Sequence, residues 1–126
     1  MNSLKIIVAG AGFGGIRVAL DLTRAVPGAQ ITLINDTLTH CFHPDLYEVA
    51  TAILPNEKKI TFRNLSGTVN IPLNKIFSGK KVNLMEGKVK EIDPQKRCLV
   101  TEKSENLFYD FLVLCLGSAT NYFGIE

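Results

Sequence analysis

The chain has few cysteines, and they lie far apart. Its 126 residues include three, Cys41, Cys98 and Cys115, and no two of them form a C-x-x-C or C-x4-C pair. This spacing excludes the usual redox-active dithiol motifs and the common cysteine-based metal sites. The odd count and the lack of a recognisable signal peptide predict a protein of the reducing cytosol. Cys115, inside an apolar segment, is predicted to be a core residue.

Features that would indicate a nucleic acid or a membrane span are also missing. Basic residues form only isolated pairs, at 58–59 and 80–81, so no nucleic-acid partner is expected. The net charge of +2 argues neither for nor against an anionic partner. The apolar runs are too short to span a bilayer. With 46% hydrophobic and 21% charged residues, the composition is that of one soluble globular domain.

What the sequence does have is a cluster of glycines directly after an apolar segment. Residues 4–9 are almost all apolar, as expected of a strand buried on both faces. A G-x-G-x-x-G pattern follows, with a fourth glycine inside it: Gly10, Gly12, Gly14 and Gly15. Residues 13–26 have helical periodicity, Pro27-Gly28 stops the helix, and residues 31–34 form a second apolar strand. The pattern predicts a βαβ unit of about 30 residues, which is how a dinucleotide-binding fold begins.

Three of these glycines have separate predicted tasks. Gly10 allows a sharp turn, Gly12 lets backbone amides approach a pyrophosphate, and Gly15 lets the helix pack close to the strand. The start of the helix offers free N–H groups and a positive dipole end to the phosphates. The alternative is a glycine turn in a parallel sheet that binds nothing.

The expected ribose-binding acid, about 20 residues further on, is replaced by Asn35, so either Asn35 binds through its amide or Asp36 takes the role. Asp36 is otherwise a polar residue of the turn.

The rest of the chain predicts a small β excursion and a return to the sheet. Helical potential is expected over 36–57, where Pro44 opens a short helix, and again over 71–77. His40 and His43 have no third ligand nearby, so a loop beside a ligand is favoured over a metal site. Short strands are predicted at 82–85, 88–92, 98–102, 107–109 and, fully apolar, at 111–116. The fold class is therefore α/β: a Rossmann-like domain whose parallel sheet carries a small antiparallel β excursion.

These segments resemble the N-terminal FAD-binding part of type II NADH dehydrogenases (NADH:quinone oxidoreductases), within the pyridine nucleotide-disulfide oxidoreductase superfamily of two-dinucleotide-binding-domain flavoproteins. The likeness runs the whole length. The first and last segments, 5–17 and 109–125, are typical of the superfamily, and segments 71–76 and 87–94 also match. The loop at 40–50 and the ending at 118–124 indicate this family within it.

The resemblance implies a set of cofactor contacts. The glycine turn would cradle the FAD pyrophosphate, Asn35 or Asp36 would bind the adenosine ribose, and Val89 would meet the adenine. No catalytic residue and no metal ligand is expected in this chain. The implied FAD-binding residues are Gly10, Ala11, Gly12, Phe13, Gly14, Gly15, Asn35, Asp36, His40, Phe42, Pro44, Val89, Leu116, Gly117 and Ser118.

For the parent enzyme, the resemblance implies electron transfer from NADH through FAD to a quinone. NADH would bind a second domain, and C-terminal segments would attach the enzyme peripherally to the cytoplasmic face of the cell membrane. Residues 1–126 are accordingly expected to be an FAD-binding fragment, inactive alone; a homodimer is compatible with the resemblance. Two departures from the family pattern are Asn35 and an extra or altered loop at 61–70.

Two other functions fit the same residues. A sulfide- or disulfide-handling flavoprotein needs reactive cysteines near the flavin, and Cys41 stands alone. A non-catalytic nucleotide-binding module would hold only the ADP half of the cofactor.

Overall fold

The computed structural model describes residues 3–51, 67, 69–119, 121 and 123–124. Within these described residues there are nine strands and three α-helices, and residues His43–Asp45 form a single 3-10 turn. In chain order the strands and α-helices are β1 (Lys5–Ala9), α1 (Phe13–Ala25), β2 (Gln30–Asn35), β3 (Thr39–Cys41), α2 (Leu46–Thr51), β4 (Asn70–Pro72), α3 (Leu73–Ile76), β5 (Val82–Glu86), β6 (Val89–Asp93), β7 (Cys98–Thr101), β8 (Asn106–Phe108) and β9 (Phe111–Leu114).

Four strands form a parallel sheet in the order β5-β2-β1-β9. Because all four run in the same direction, their carboxyl ends meet at one edge. From β1 the chain first builds β2 and β5 on one side, and it returns to β9 on the other side. The strand order therefore reverses beside β1, which is where open α/β sheets bind their ligands. The predicted Rossmann-like parallel sheet is confirmed.

Alternate residues of the central strands face two separate cores, since side chains of a strand point to opposite faces. On one face, Val8 and Leu33 are fully buried against Ala19 of α1 and Leu73 of α3. On the other face, the core cluster is Ile7, Ala9, Ile34 and Leu99. Leu99 belongs to the antiparallel sheet β6-β7-β8, so the predicted β excursion is confirmed and covers the second face. Burial on both faces explains why β1 is apolar at nearly every position.

Two sequence-based predictions about the connecting segments are wrong in detail. Residues 71–77 do not form one helix, because β4 precedes the short α3 and pairs antiparallel with β3, with Ile71 opposite His40. Pro72 has the extended backbone angles φ −59° and ψ 130°, and a residue before proline is itself disfavoured in a helix. The expected irregular stretch from residue 36 likewise contains β3. Residues 61–66 and 68 of the expected extra loop lie outside the described residues.

The last strand is less buried than its sequence predicts. Within the described chain β9 pairs only with β1, so it lies at the edge of the sheet. Phe111 is 60% exposed and Leu114 is 57% exposed, although both are apolar. Cys115, predicted to be a core residue, is half-buried, and its N–H donates to Ala9 C=O at 2.7 Å. No described helix is long and apolar enough to cross a bilayer.

Candidate functional site

A cavity of about 460 Å³ opens at the carboxyl edge of the parallel sheet. It is lined by the ends of the four strands and the turns that follow them. Seven of the predicted site residues line it: Gly10, Asn35, Asp36, Val89, Leu116, Gly117 and Ser118. These residues are far apart in the chain, and the parallel sheet brings them to one cavity.

Gly10 and Gly15 are required by packing. Gly10 has φ +102°, and a Cβ on it would lie 2.1 Å from the carbonyl oxygen of Cys115. A Cβ on Gly15 would lie 1.8 Å from the carbonyl oxygen of Gly10. Both contacts are with backbone, which cannot move aside. These two glycines hold α1 against the ends of β1 and β9, as the tight turn and close helix packing of the pattern predict.

Gly12 is different, because the protein itself gives no reason for a glycine there. A Cβ on Gly12 would meet nothing within 4 Å. Its backbone angles, φ −75° and ψ −172°, are open to any residue. It occupies the N-cap of α1, a position where Ser, Thr, Asp and Asn are strongly preferred. The missing side chain leaves an open space in front of the helix, which a ligand can use.

The N-terminus of α1 faces this space, and no side chain caps its free N–H groups. The first helical hydrogen bond runs from the N–H of Ile16 to the C=O of Gly12, at 3.0 Å. The N–H groups of Phe13, Gly14 and Gly15 precede that bond, and neither a side-chain cap nor an acidic residue in the first turn satisfies them. A helix start of this kind favours an anion through its free donors and its dipole.

The two candidates for the missing acid have different surroundings. Asn35 is committed to the fold: its Oδ1 accepts from the N–H of Ala11 at 2.9 Å, and its Nδ2 donates to the C=O of Thr37 at 2.9 Å. Asp36 is exposed at the cavity wall. Within the described residues no hydrogen bond or ion pair engages its carboxylate. Of the two, only Asp36 has a side chain that no described residue engages.

A second cluster of predicted residues lies at a different cavity. His40 is 5% exposed, and its Nδ1 donates to the C=O of Ala11 at 2.9 Å. The His40 ring meets the ring of Phe13 edge-on at 4.9 Å, and Phe13 meets Phe42 at 5.6 Å. These three rings line an apolar groove of about 330 Å³ between α1 and the β3–β4 pair. Pro44 is exposed in the 3-10 turn. Cofactor contacts by His40, Phe42 and Pro44 stay predictions.

Four residues that line the first cavity were not predicted from the sequence as site residues: Ile34, Gly87, Lys88 and Ala119. Gly87 is held beside the end of β2, where its N–H donates to the C=O of Asn35 at 2.8 Å. Lys88 pairs with Glu102 at 3.1 Å in an exposed ion pair. The sequence could have indicated Gly87, because it directly follows β5, and the carboxyl ends of all parallel strands meet at the edge where the cavity lies. In the described part of the chain, no cluster of three or more His, Cys, Asp or Glu side chains could hold a metal ion.

Known proteins match the chain along nearly its whole length. Residues 4–126 match the pyridine nucleotide-disulphide oxidoreductase family. Type II NADH:quinone oxidoreductase NdhA of Mycobacterium tuberculosis is 36% identical over 124 residues, which cover 95% of this chain and 24% of NdhA. The mitochondrial sulfide:quinone oxidoreductase of Mus musculus is 26% identical over 121 residues, covering 96% of this chain and 24% of the mouse protein.

The fold also matches a solved structure, the sulfide:quinone oxidoreductase of Aquifex aeolicus. The TM-score is 0.76 at 25% identity, and the match covers 95% of this chain and 26% of that one. The chain thus spans about a quarter of the length of the relatives it matches.

Proposed function

The chain belongs to the pyridine nucleotide-disulphide oxidoreductase family, and from this premise we propose that it binds FAD at the carboxyl edge of its parallel sheet. Membership of this family implies a flavin cofactor. The observation that carries the proposal is Gly12, a glycine that neither packing nor backbone conformation requires, placed before an uncapped helix N-terminus. A pyrophosphate explains both the missing side chain and the free donors.

The residues of the site divide the cofactor between them. The N–H groups of Phe13, Gly14 and Gly15 bind the pyrophosphate. Asp36 accepts hydrogen bonds from the ribose hydroxyls, because the Asn35 amide is already engaged by Ala11 and Thr37. The segment 87–89 surrounds the adenine, and Val89 meets it through its backbone.

The segment 116–118, after β9, lines the same cavity. The bound flavin would supply the hydride- and electron-transfer chemistry, and the chain's own residues bind and orient it. Accordingly, no residue of this chain is assigned a catalytic role.

The proposed activity of the whole protein is electron transfer from NADH to a quinone. Both curated relatives described above act on quinones by name, and the NADH:quinone oxidoreductase is the more similar, at 36% against 26% identity. Quinones are apolar and reside in membranes, so we place the protein at the cytoplasmic face of a membrane, attached peripherally. The same proposal includes NADH as the electron donor and a homodimer as the oligomeric state. It also includes residues 1–126 as the FAD-binding part of a larger protein.

Sulfide oxidation is the second candidate, because a sulfide:quinone oxidoreductase shares the fold at a TM-score of 0.76. That chemistry needs cysteines beside the flavin. Cys41, Cys98 and Cys115 are all unpaired thiols. Sulfide and NADH as electron donors can be distinguished on the natural gene product that contains these residues. NADH is expected to bleach the flavin absorbance without oxygen, and a quinone is expected to restore it; bleaching by sulfide alone would favour the second candidate.

Binding itself is tested by titrating the purified 126-residue chain with FAD and with ADP in a calorimeter. Both are expected to bind, and ADP is expected to displace FAD because it occupies the pyrophosphate and ribose sites. Similar affinities for the two ligands would restrict the site to the ADP half. If neither ligand binds, the chain is not a nucleotide-binding module and the proposal is wrong.

A further inference from the structure

We propose that His40 is a positioning residue, which orients the peptide between Ala11 and Gly12 so that the Gly12 N–H is presented to the phosphate side of the turn. The inference rests on the proposed function, because the phosphate is that of the bound dinucleotide. His40 lies in β3 and is 5% exposed, behind the glycine turn rather than in the cofactor cavity. Its influence on a ligand therefore has to pass through the turn.

The contact between His40 and Ala11 fixes the imidazole tautomer. The Nδ1 atom is 2.9 Å from the carbonyl oxygen of Ala11. Because a carbonyl oxygen can only accept, Nδ1 must carry the proton and donate it. The ring is held in that orientation by the edge of Phe13, with ring centres 4.9 Å apart. His40 thus provides a fixed donor that is aimed at one peptide.

The contact between His40 and the Ala11 C=O also sets the direction of the Gly12 N–H, because both groups belong to one planar trans peptide. The C=O and the N–H of one trans peptide unit point to opposite sides of the chain. No cis peptide bond occurs in the described residues. Since the Ala11 C=O points at the buried His40 ring, the Gly12 N–H points away from it. Ala11 is 4% exposed and Gly12 is exposed, so that donor faces the open side of the turn.

The preceding peptide is held in the same manner from the other flank. The Ala11 N–H donates to Oδ1 of Asn35 at 2.9 Å, which fixes the peptide between Gly10 and Ala11. Two side chains, Asn35 from β2 and His40 from β3, therefore hold the two successive peptides that meet at Ala11. Glycine at position 12 would otherwise let the second peptide rotate, because glycine tolerates most backbone angles. The two contacts give the turn its single orientation before any ligand arrives.

A matched set of substitutions separates donation from packing. H40N keeps an N–H donor where Nδ1 stands, H40L branches at the same Cγ atom as H40N but has no donor, and H40F keeps a ring against Phe13 but also has no donor. Each variant of the 126-residue chain is titrated with ADP and with adenosine, and the Gly12 amide resonance is followed by NMR. Adenosine is the control ligand because it has the base and ribose but no phosphate.

We expect H40N to bind ADP within about threefold of the native chain, and H40L and H40F to bind it roughly tenfold more weakly, the factor for one lost oriented donor. Adenosine affinity is expected to be the same in all four proteins. Equal weakening of ADP and adenosine binding, or equal effects of H40N and H40L, would show that His40 only packs and would overturn the inference. Circular dichroism checks folding, and H40F replaces H40L if the latter does not fold.

The ligand-free spectra keep this inference distinct from the proposed function. Without ligand, the Gly12 amide resonance is expected to shift in H40L and H40F and to stay near its native position in H40N. If the native chain binds neither ADP nor FAD, the proposed function fails, whereas this pattern still reports whether His40 orients the turn. A Gly12 resonance that does not respond to any of the three substitutions contradicts the positioning role.

Discussion

The two glycine-containing turns that flank the site are built differently. The turn after β1 is fixed from several sides: its Gly10 and Gly15 fill spaces that admit no Cβ, and side chains from β2 and β3 hold its peptides. The turn after β9 has Gly117 at φ +70°, but a Cβ there would meet nothing within 4 Å. Both turns line or adjoin one cavity, yet in the described chain only the turn after β1 has peptides that are hydrogen-bonded by side chains of other strands.

This difference indicates which of the two turns is preorganised for binding. Donors that are already oriented need no ordering when the ligand arrives, so they contribute more of their interaction to affinity. The turn after β1 is proposed to bind the pyrophosphate, and its peptides are oriented by Asn35 and His40. The turn after β9 follows an edge strand with exposed apolar side chains, and no described side chain orients its peptides. Substitutions in the first turn should therefore have larger and more specific effects than those in the second.

The largest effect is expected from Gly15→Ala. The new Cβ would lie 1.8 Å from the carbonyl oxygen of Gly10, a backbone atom that cannot move without separating α1 from β1. We expect the free energy of unfolding to fall by about 3 kcal/mol or more, at the upper end of overpacked sites. Chemical denaturation followed by circular dichroism measures it. An unchanged denaturation midpoint would show that the turn is not tightly held.

Gly12→Ser is expected to change stability and binding in opposite directions. Serine at this N-cap can accept from a free N–H of the first turn, so the free energy of unfolding should rise by a few tenths of a kcal/mol. The same side chain would occupy the space before α1 and compete for its donors. FAD and ADP affinity should fall about tenfold or more, or roughly 1.4 kcal/mol. If calorimetry shows undiminished affinity, the pyrophosphate does not bind at Gly12.

Substitutions of Asn35 and Asp36 should have separate effects, the first on stability and the second on ribose binding. Asn35→Leu leaves the N–H of Ala11 without its acceptor, which should cost about 1–3 kcal/mol of unfolding free energy. Asp36→Asn should leave stability unchanged, because no described residue pairs with its carboxylate. It should weaken ADP binding by roughly tenfold, through loss of a charged acceptor.

The control for this pair is a ligand without ribose. Inorganic pyrophosphate should bind the native chain and Asp36→Asn with equal affinity. A loss of pyrophosphate affinity in Asp36→Asn would place this residue at the phosphates instead of the ribose.

The sequence was sufficient for those parts of the fold that depend on local pattern. The apolar β1, the amphipathic α1 and the glycine spacing each have a period or composition that only one structure satisfies. The pairing of β3 with β4 was not predictable in this way, because three-residue strands such as Asn70–Pro72 are too short to show a period. Even so, the proline after Ile71 is a local signal against a helix that begins at residue 71.

The site was predictable in its glycines and not in its supporting contacts. Spacing identifies Gly10, Gly12 and Gly15 as a group but cannot show that two of them are needed for packing and one is not. The distinction depends on Cys115, which is distant in sequence and passes beside Gly10 only because β9 pairs with β1. For the same reason the bond between His40 and Ala11 was not predicted, since it spans 29 residues.

Gly117→Ala should have the smallest effect on ligand affinity, and it tests the turn after β9. Alanine at φ +70° costs about 1 kcal/mol in backbone strain, but it meets no atom within 4 Å. The free energy of unfolding should fall by about that amount or less, since the turn can relax to another conformation. FAD affinity should change by less than about threefold, because the new Cβ meets no described atom and no donor that faces the ligand is displaced. Gly10→Ala is the matched control: it combines a positive φ of 102° with a contact of 2.1 Å to backbone, so its loss of unfolding free energy should exceed that of Gly117→Ala and approach that of Gly15→Ala. Equal losses in the two variants would mean that the turn after β9 is held as tightly as the turn after β1.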